Sequence, residues 1–403
     1  MPATADNRPV FAARGRLRVI DTGQPCARSP AFTDDSLRGQ GDAGIRAGFP
    51  EWIVATMVMG MQTMERAQER AIGIWLMVCC ATLLALVMLG GATRLTESGL
   101  SIVDWRPVTG VLPPMGEEAW QAEFTKYRQS PQYTKVNQGM SLDDFKLIFW
   151  YEYGHRLLAR FLGLMFALPL LWFWLRRAIP PHLRWPLVGI LALGAAQGYM
   201  GWFMVKSGLV DIPRVSHYRL AAHLSLALLI YASMFWIAVR TLWPAAAAAR
   251  PLGRTPKILL AWVAVTIVFG AFVAGMRAGL IYNTFPLMGT HLVPPGMWTF
   301  DPWWLNFLEN PVTVQFVHRV LALSALGIVV GMWWVWRRSP ALDTAQRRAT
   351  HWLLLALLLQ VSLGIATLLL HVPVWLGTLH QGGAVVLLSA VLWLLSRGGR
   401  APA

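Results

Sequence analysis

Eight apolar stretches, each close to the ~20 residues that carry a helix across ~30 Å of hydrocarbon, dominate this sequence. They cover roughly 72–93, 147–175, 184–205, 217–243, 258–276, 312–336, 350–370 and 373–396. Nothing in hydrocarbon satisfies a free backbone amide or carbonyl, so only helices and closed barrels span it, and runs of this length select helices. The expected fold is all-α and integral to the membrane. A soluble core is excluded by 56% hydrophobic against 14% charged residues in 403. Only His371, Val372 and Pro373 divide the last two stretches, which predicts a tight hairpin.

Arginine and lysine collect on alternate connections: Arg176, Arg177 and Arg184; Arg250, Arg254 and Lys257; Arg337, Arg338, Arg347 and Arg348; Arg397 and Arg400. The positive-inside rule puts these connections and both termini in the cytoplasm. A net charge of +15 then reflects topology in a lipid environment, and nucleic acid is not an expected partner. The long loops 94–146 and 277–311, with their acidic and aromatic residues, fall on the outer side. Residues 1–70 carry nine Arg against eight Asp plus Glu, without sustained apolar periodicity. This composition fits a disordered cytoplasmic extension and is too acidic for a transit peptide.

The chain also repeats itself. His155-Arg156-Leu157-Leu158-Ala159 returns 163 residues later as His318-Arg319-Val320-Leu321-Ala322, and Gln197 with Gly201 returns at the same offset as Gln360 with Gly364. His223 corresponds to His380, and the outer loops echo each other through Arg94 and Arg277, Gly99-Leu100 and Gly279-Leu280, Pro113-Pro114 and Pro294-Pro295. Two tandem four-helix bundles are expected, 71–243 and 258–397, joined by a cytoplasmic linker at 244–257. Four spans per half is an even number, so the halves share one orientation. A pseudo-two-fold axis along the membrane normal would relate them.

His155, His223, His318 and His380 each lie a few residues inside the outer end of an apolar span. An imidazole in hydrocarbon is costly without a partner, and four at one depth imply a shared task. In each half the second and fourth spans run the same way, so their imidazoles meet at one level, as inward-projecting ligands do in helical bundles. This is the arrangement of bis-histidine haem, with all four histidines as iron ligands. Cys26, Cys79 and Cys80 form no C-x-x-C-H, so such a haem has no thioether link. The other histidines lie at span ends or in a loop: His182, His217, His291, His351 and His371 read as interfacial.

Glu152 lies three positions before His155 on one helix face, and Gln315 holds the corresponding place before His318. An intramembrane carboxylate needs a task or a partner. Two roles fit: a proton acceptor serving the first half alone, or an ion pair with Arg156 or Arg160. Arg94, Arg156, Arg277 and Arg319 suit either haem propionates, which guanidinium grips bidentately, or the membrane interface.

These residues fall into a known pattern. Gly90-Gly91-Ala92-Thr93-Arg94-Leu95-Thr96-Glu97-Ser98-Gly99-Leu100-Ser101, with Asp104-Trp105 and Pro113-Pro114, resembles the outer loop of haem A synthases of the mitochondrial and proteobacterial type. So do Phe145-Lys146 leading to Trp150, Glu152, Tyr153 and His155-Arg156; Gly201-Trp202 with Met204-Val205-Lys206-Ser207-Gly208-Leu209; Tyr218-Arg219-Leu220 before His223; Asn283-Thr284-Phe285-Pro286-Leu287-Met288; and Leu379-His380-Gln381.

The resemblance implies an oxidoreductase of the bacterial inner membrane that converts the C8 methyl of haem O to the formyl of haem A for cytochrome c oxidase. It implies that His155 and His223 take the haem O substrate, that His318 and His380 keep a haem b, and that Glu152 is the essential carboxylate. Partners implied by the pathway are haem O synthase (protohaem farnesyltransferase) and cytochrome c oxidase assembly factors. The electron donor or acceptor and any homo-oligomer stay open. The outer-loop cysteine pair of the Gram-positive branch is absent, which argues against a thiol relay. A diheme b-type electron-transfer protein without catalysis is the main rival; it accounts for four histidines but not for Glu152 opposite Gln315. A haem transporter or chaperone built on parallel repeats is a further one.

Overall fold

The computed structural model describes residues 51–105, 110–208, 215–246 and 249–399. It divides into two units, 1–60 and 61–403; in the first, only the helical residues 51–60 are described. In chain order the helices are α1 (Glu51–Leu95), α2 (Glu117–Arg128), α3 (Pro131–Lys135), α4 (Leu142–Leu175), α5 (Pro181–Gly208) and α6 (His217–Leu242). There follow α7 (Thr255–Met276), α8 (Asn306–Glu309), α9 (Pro311–Trp336), α10 (Thr344–Leu369) and α11 (Val374–Ser396). Eight of these are long and apolar enough to cross a bilayer: α1 from Thr63 onward, α4 to α7, and α9 to α11. The protein is an all-helical, multi-pass membrane protein.

Local chemistry sets the boundaries. Ser141 caps α4 by accepting from Asp144 N, Asn310 caps α9 by accepting from Val312 N and Thr313 N with Pro311 in the first turn, and Asp343 with Gln346 forms a reciprocal capping box on α10. The hairpin between α10 and α11 turns through His371 and Val372, both at positive φ (60° and 58°).

Two features depart from the sequence reading. Of the extension expected at 1–70, residues 1–50 lie outside the described residues, but 51–70 are helical and continuous with the first span. No proline interrupts Glu51–Leu95, and Met, Ala, Glu, Gln and Arg between 56 and 70 are good helix formers. The first outer loop is also more than a connection. It carries α2 and α3, whose Phe124 and Tyr127 pack with Phe145, Ile148, Phe149 and Tyr153 of α4.

Around the last four spans, α7 packs on α9 and α11, and α10 packs on α9 and α11. Among the first four, α5 packs on α4 and α6. Helix α1 joins α4 through Trp75 Nε1, which donates to Met165 O (2.9 Å), and joins α6 through Cys80 Sγ to Tyr231 O (3.8 Å). Contacts of α6 with α7 and α11 link the two sets.

Candidate haem-binding site

His318 on α9 and His380 on α11 face each other with ring centroids 6.5 Å apart and planes at 86°. Two imidazoles this close could hold one haem iron between them. His318 Nδ1 lies 3.1 Å from Thr266 O on α7. A carbonyl can only accept, so Nδ1 carries the proton and Nε2 keeps its lone pair for a metal. The carbonyl of His380 accepts from Gln360 Nε2 at 2.9 Å, which ties α10 to α11 at the level of the ligand.

In the first half His155 stands on α4 and His223 on α6. Gln197 Nε2 donates to His223 O (3.1 Å) and also lies 3.2 Å from His223 Nε2. All four rings rest against a glycine of a neighbouring helix. A Cβ added at Gly90, Gly201, Gly270 or Gly364 would come within 3.0, 3.3, 3.0 or 2.8 Å of His155, His223, His318 or His380 respectively. In the sequence Gly201 and Gly364 stand out only as a repeated pair. Which helix faces an imidazole is a property of packing.

The donor set fits haem. Among the described residues no group of three or more His, Cys, Asp or Glu converges, and a pair of imidazoles without a third protein ligand is a donor set that would hold a haem iron. Nδ1 of His223 and Nδ1 of His380 are buried without a hydrogen-bond partner from the protein.

Beside the histidines, two pairs of side chains hold the outer loops down. Glu152, 3% exposed, accepts from Ser101 Oγ and Ile102 N (2.8 Å each) and pairs with Arg156 at 2.5 Å. Arg156 also donates to the carbonyls of Ile102 (3.0 Å) and Asp104 (3.3 Å). In the second half Gln315 and Arg319 donate to Tyr282 O (3.0 and 2.8 Å), and Arg319 reaches Thr284 O at 2.9 Å. Of the two roles the sequence allowed Glu152, the ion pair with Arg156 is present. A cavity of about 420 Å³ opens next to it, lined in part by Phe149, Tyr153, Arg156 and Arg160.

Arg94 and Arg277 engage the seam between the sets of spans. Arg94 Nη2 donates to Ala274 O and Gly275 O at the end of α7 (3.1 Å each), and Arg277 pairs with Glu97. All four arginines expected at propionates or the interface thus have protein partners. His182, His291, His351 and His371 are exposed; His217 instead sits half-buried in the seam, with Nε2 donating to Leu308 O at 2.9 Å.

The family described as cytochrome oxidase assembly protein matches residues 73–392. A heme A synthase of Nitrosospira multiformis is 50% identical over 347 residues, covering 85% of this chain and 97% of the relative. The chain belongs to the haem A synthase family. The heme A synthases of Rhodospirillum centenum (49% over 333 residues, 82% of this chain and 88% of theirs) and Sinorhizobium medicae (48% over 338 residues, 83% and 91%) are similar at comparable length. Haem A synthases therefore share with this chain nearly all of its spanning region.

Proposed function

We propose that this protein oxidises the C8 methyl of haem O to the formyl group of haem A, with His155 and His223 holding the substrate and His318 and His380 holding a haem b. The observation that carries this reading is a duplicated imidazole site with an acid in only one copy: Glu152 in the first half, Gln315 in the second. The relatives named heme A synthase support the reaction class.

A haem b held by His318 and His380 would supply one-electron chemistry. The chain's part is orientation and proton handling. Thr266 O fixes the tautomer of His318, while Gln360 and Gln197 hold the backbones that present His380 and His223. Glu152 keeps a carboxylate one turn of α4 from His155, where an amide could donate and accept hydrogen bonds but not take up a proton. Ser101, Ile102 and Arg156 stabilise that buried charge and fix its position.

In the same reading the spans form two tandem bundles, 71–243 and 258–397, about an axis along the membrane normal. The histidine sites lie toward the outer side of the bacterial inner membrane and both termini are cytoplasmic. Haem O synthase supplies the substrate, and cytochrome c oxidase assembly takes the product. Membranes containing this protein and supplied with haem O are expected to yield haem A and partly oxidised haem O on extraction. Recovery of unchanged haem O alone, from protein that binds it, would contradict the reading.

A further inference from the structure

Adjoining faces of one helix meet a ligand of the first candidate iron site and a residue next to a ligand of the second. On α1, His155 Nε2 lies 3.0 Å from where a side chain at Gly90 would begin. One residue on, the space that a Gly91 side chain would take is filled by Gln381, whose Oε1 lies 2.6 Å from the corresponding point. Gln381 comes from α11 and directly follows His380. Its Nε2 donates to Val87 O on α1 at 2.9 Å. Val87 and Gly91 are four residues apart and share a face, while Gly90 is turned about 100° toward His155. The next residue, Gly382, brings α11 against Met88, whose Sδ lies 2.9 Å from the point where a side chain would start. Absent side chains let backbones approach closely inside a membrane, and Gln381 fills the gap at Gly91 while donating to the backbone of α1.

We propose that Gln381 is a positioning residue for the first-half iron site: anchored beside His380, it sets the Gly90-Gly91 step of α1 on which His155 rests. A close-packed interior transmits small displacements rather than absorbing them. A change at the second site that moves α11 therefore moves the seat of His155. This inference rests on the bis-histidine reading under Proposed function.

The test uses the full-length, haem-loaded protein in a His318→Ala background, so that the low-spin electron paramagnetic resonance signal comes from the first half alone. Gln381→Leu is expected to shift the g-values of that signal, although the substitution lies on the helix carrying the second site. Gly91→Ala should shift them too, because its methyl needs the space of Gln381 Oε1. Combining Gly91→Ala with the shorter Gln381→Asn should restore the parent spectrum, which general loosening of the fold would not do. Unshifted g-values in both single variants, or a double variant further from the parent than either, would overturn the proposal. A His318→Ala parent with no low-spin signal would instead overturn the bis-histidine reading of the first half, and this inference with it.

Discussion

Glu152 and Gln315 hold corresponding loops with opposite polarity: Glu152 Oε2 accepts from Ile102 N–H, and Gln315 Nε2 donates to Tyr282 C=O. The arginine one turn later, Arg156 or Arg319, reaches the carbonyl of that same loop residue in both halves. The clamp is thus duplicated while its titratable member is not.

Glu152→Gln makes the first clamp resemble the second. Product formation should fall by about 10²–10⁴, the usual contribution of a positioned acid or base, while both haems stay bound. Arg156 keeps its two loop carbonyls, so the loss of stability should be only about 1–3 kcal/mol. Pigment chromatography together with a thermal melt reads both effects, and conversion at the wild-type rate would remove Glu152 from the chemistry.

The glycines behind the imidazoles predict an order of sensitivity. Gly364→Ala brings a methyl to 2.8 Å from the His380 ring and should cost most, whereas Gly201→Ala meets His223 at 3.3 Å and should cost least. Overpacking of this kind costs about 1–3 kcal/mol. The expected readout is loss of the second-half haem from the Gly364→Ala protein with the first-half haem retained. Equal haem content in both variants would show that the rings move aside freely.

At the seam, two neighbouring contacts should differ in weight. The Glu97–Arg277 pair is partly exposed, with side chains 33% and 44% accessible, so Glu97→Gln should change stability by no more than about 1 kcal/mol. Arg94 donates to two carbonyls at the end of α7, and hydrogen bonds from charged donors are worth about 1.5–3 kcal/mol each. Arg94→Ala should therefore lower the melting temperature clearly more than Glu97→Gln does. The reverse order would place the weight of the seam on the ion pair.

Much of this was legible in the sequence because a bilayer leaves few solutions. Length and hydropathy predict all eight spans, and the cost of polar groups in hydrocarbon singles out Glu152 and the four histidines. The same rules are silent on partners within the protein. Arg94 and Arg277 read as interface or propionate residues, and a single sequence does not reveal that Gly275 and Glu97 lie beside them. The helices of the first outer loop were missed although local signals were present: Ser130-Pro131 is a cap followed by a first-turn proline, and Ser141 with Asp144 marks the start of α4. Their aromatic residues, Phe124 and Tyr127, bury against α4 rather than against a core of their own, so hydropathy alone could not separate them from a loop. Glu51 to Arg70 was missed for the opposite reason. Its helical tendency is strong, but mixed charge and weak apolar periodicity mask it.

The division of labour between the two histidine pairs is tested most directly by mass spectrometry of pigments extracted from purified His223→Ala and His380→Ala proteins expressed alongside a source of haem O. The account predicts that His223→Ala loses haem O and its oxidised products but keeps haem b, and that His380→Ala loses haem b. The same pigment composition in both variants would contradict it.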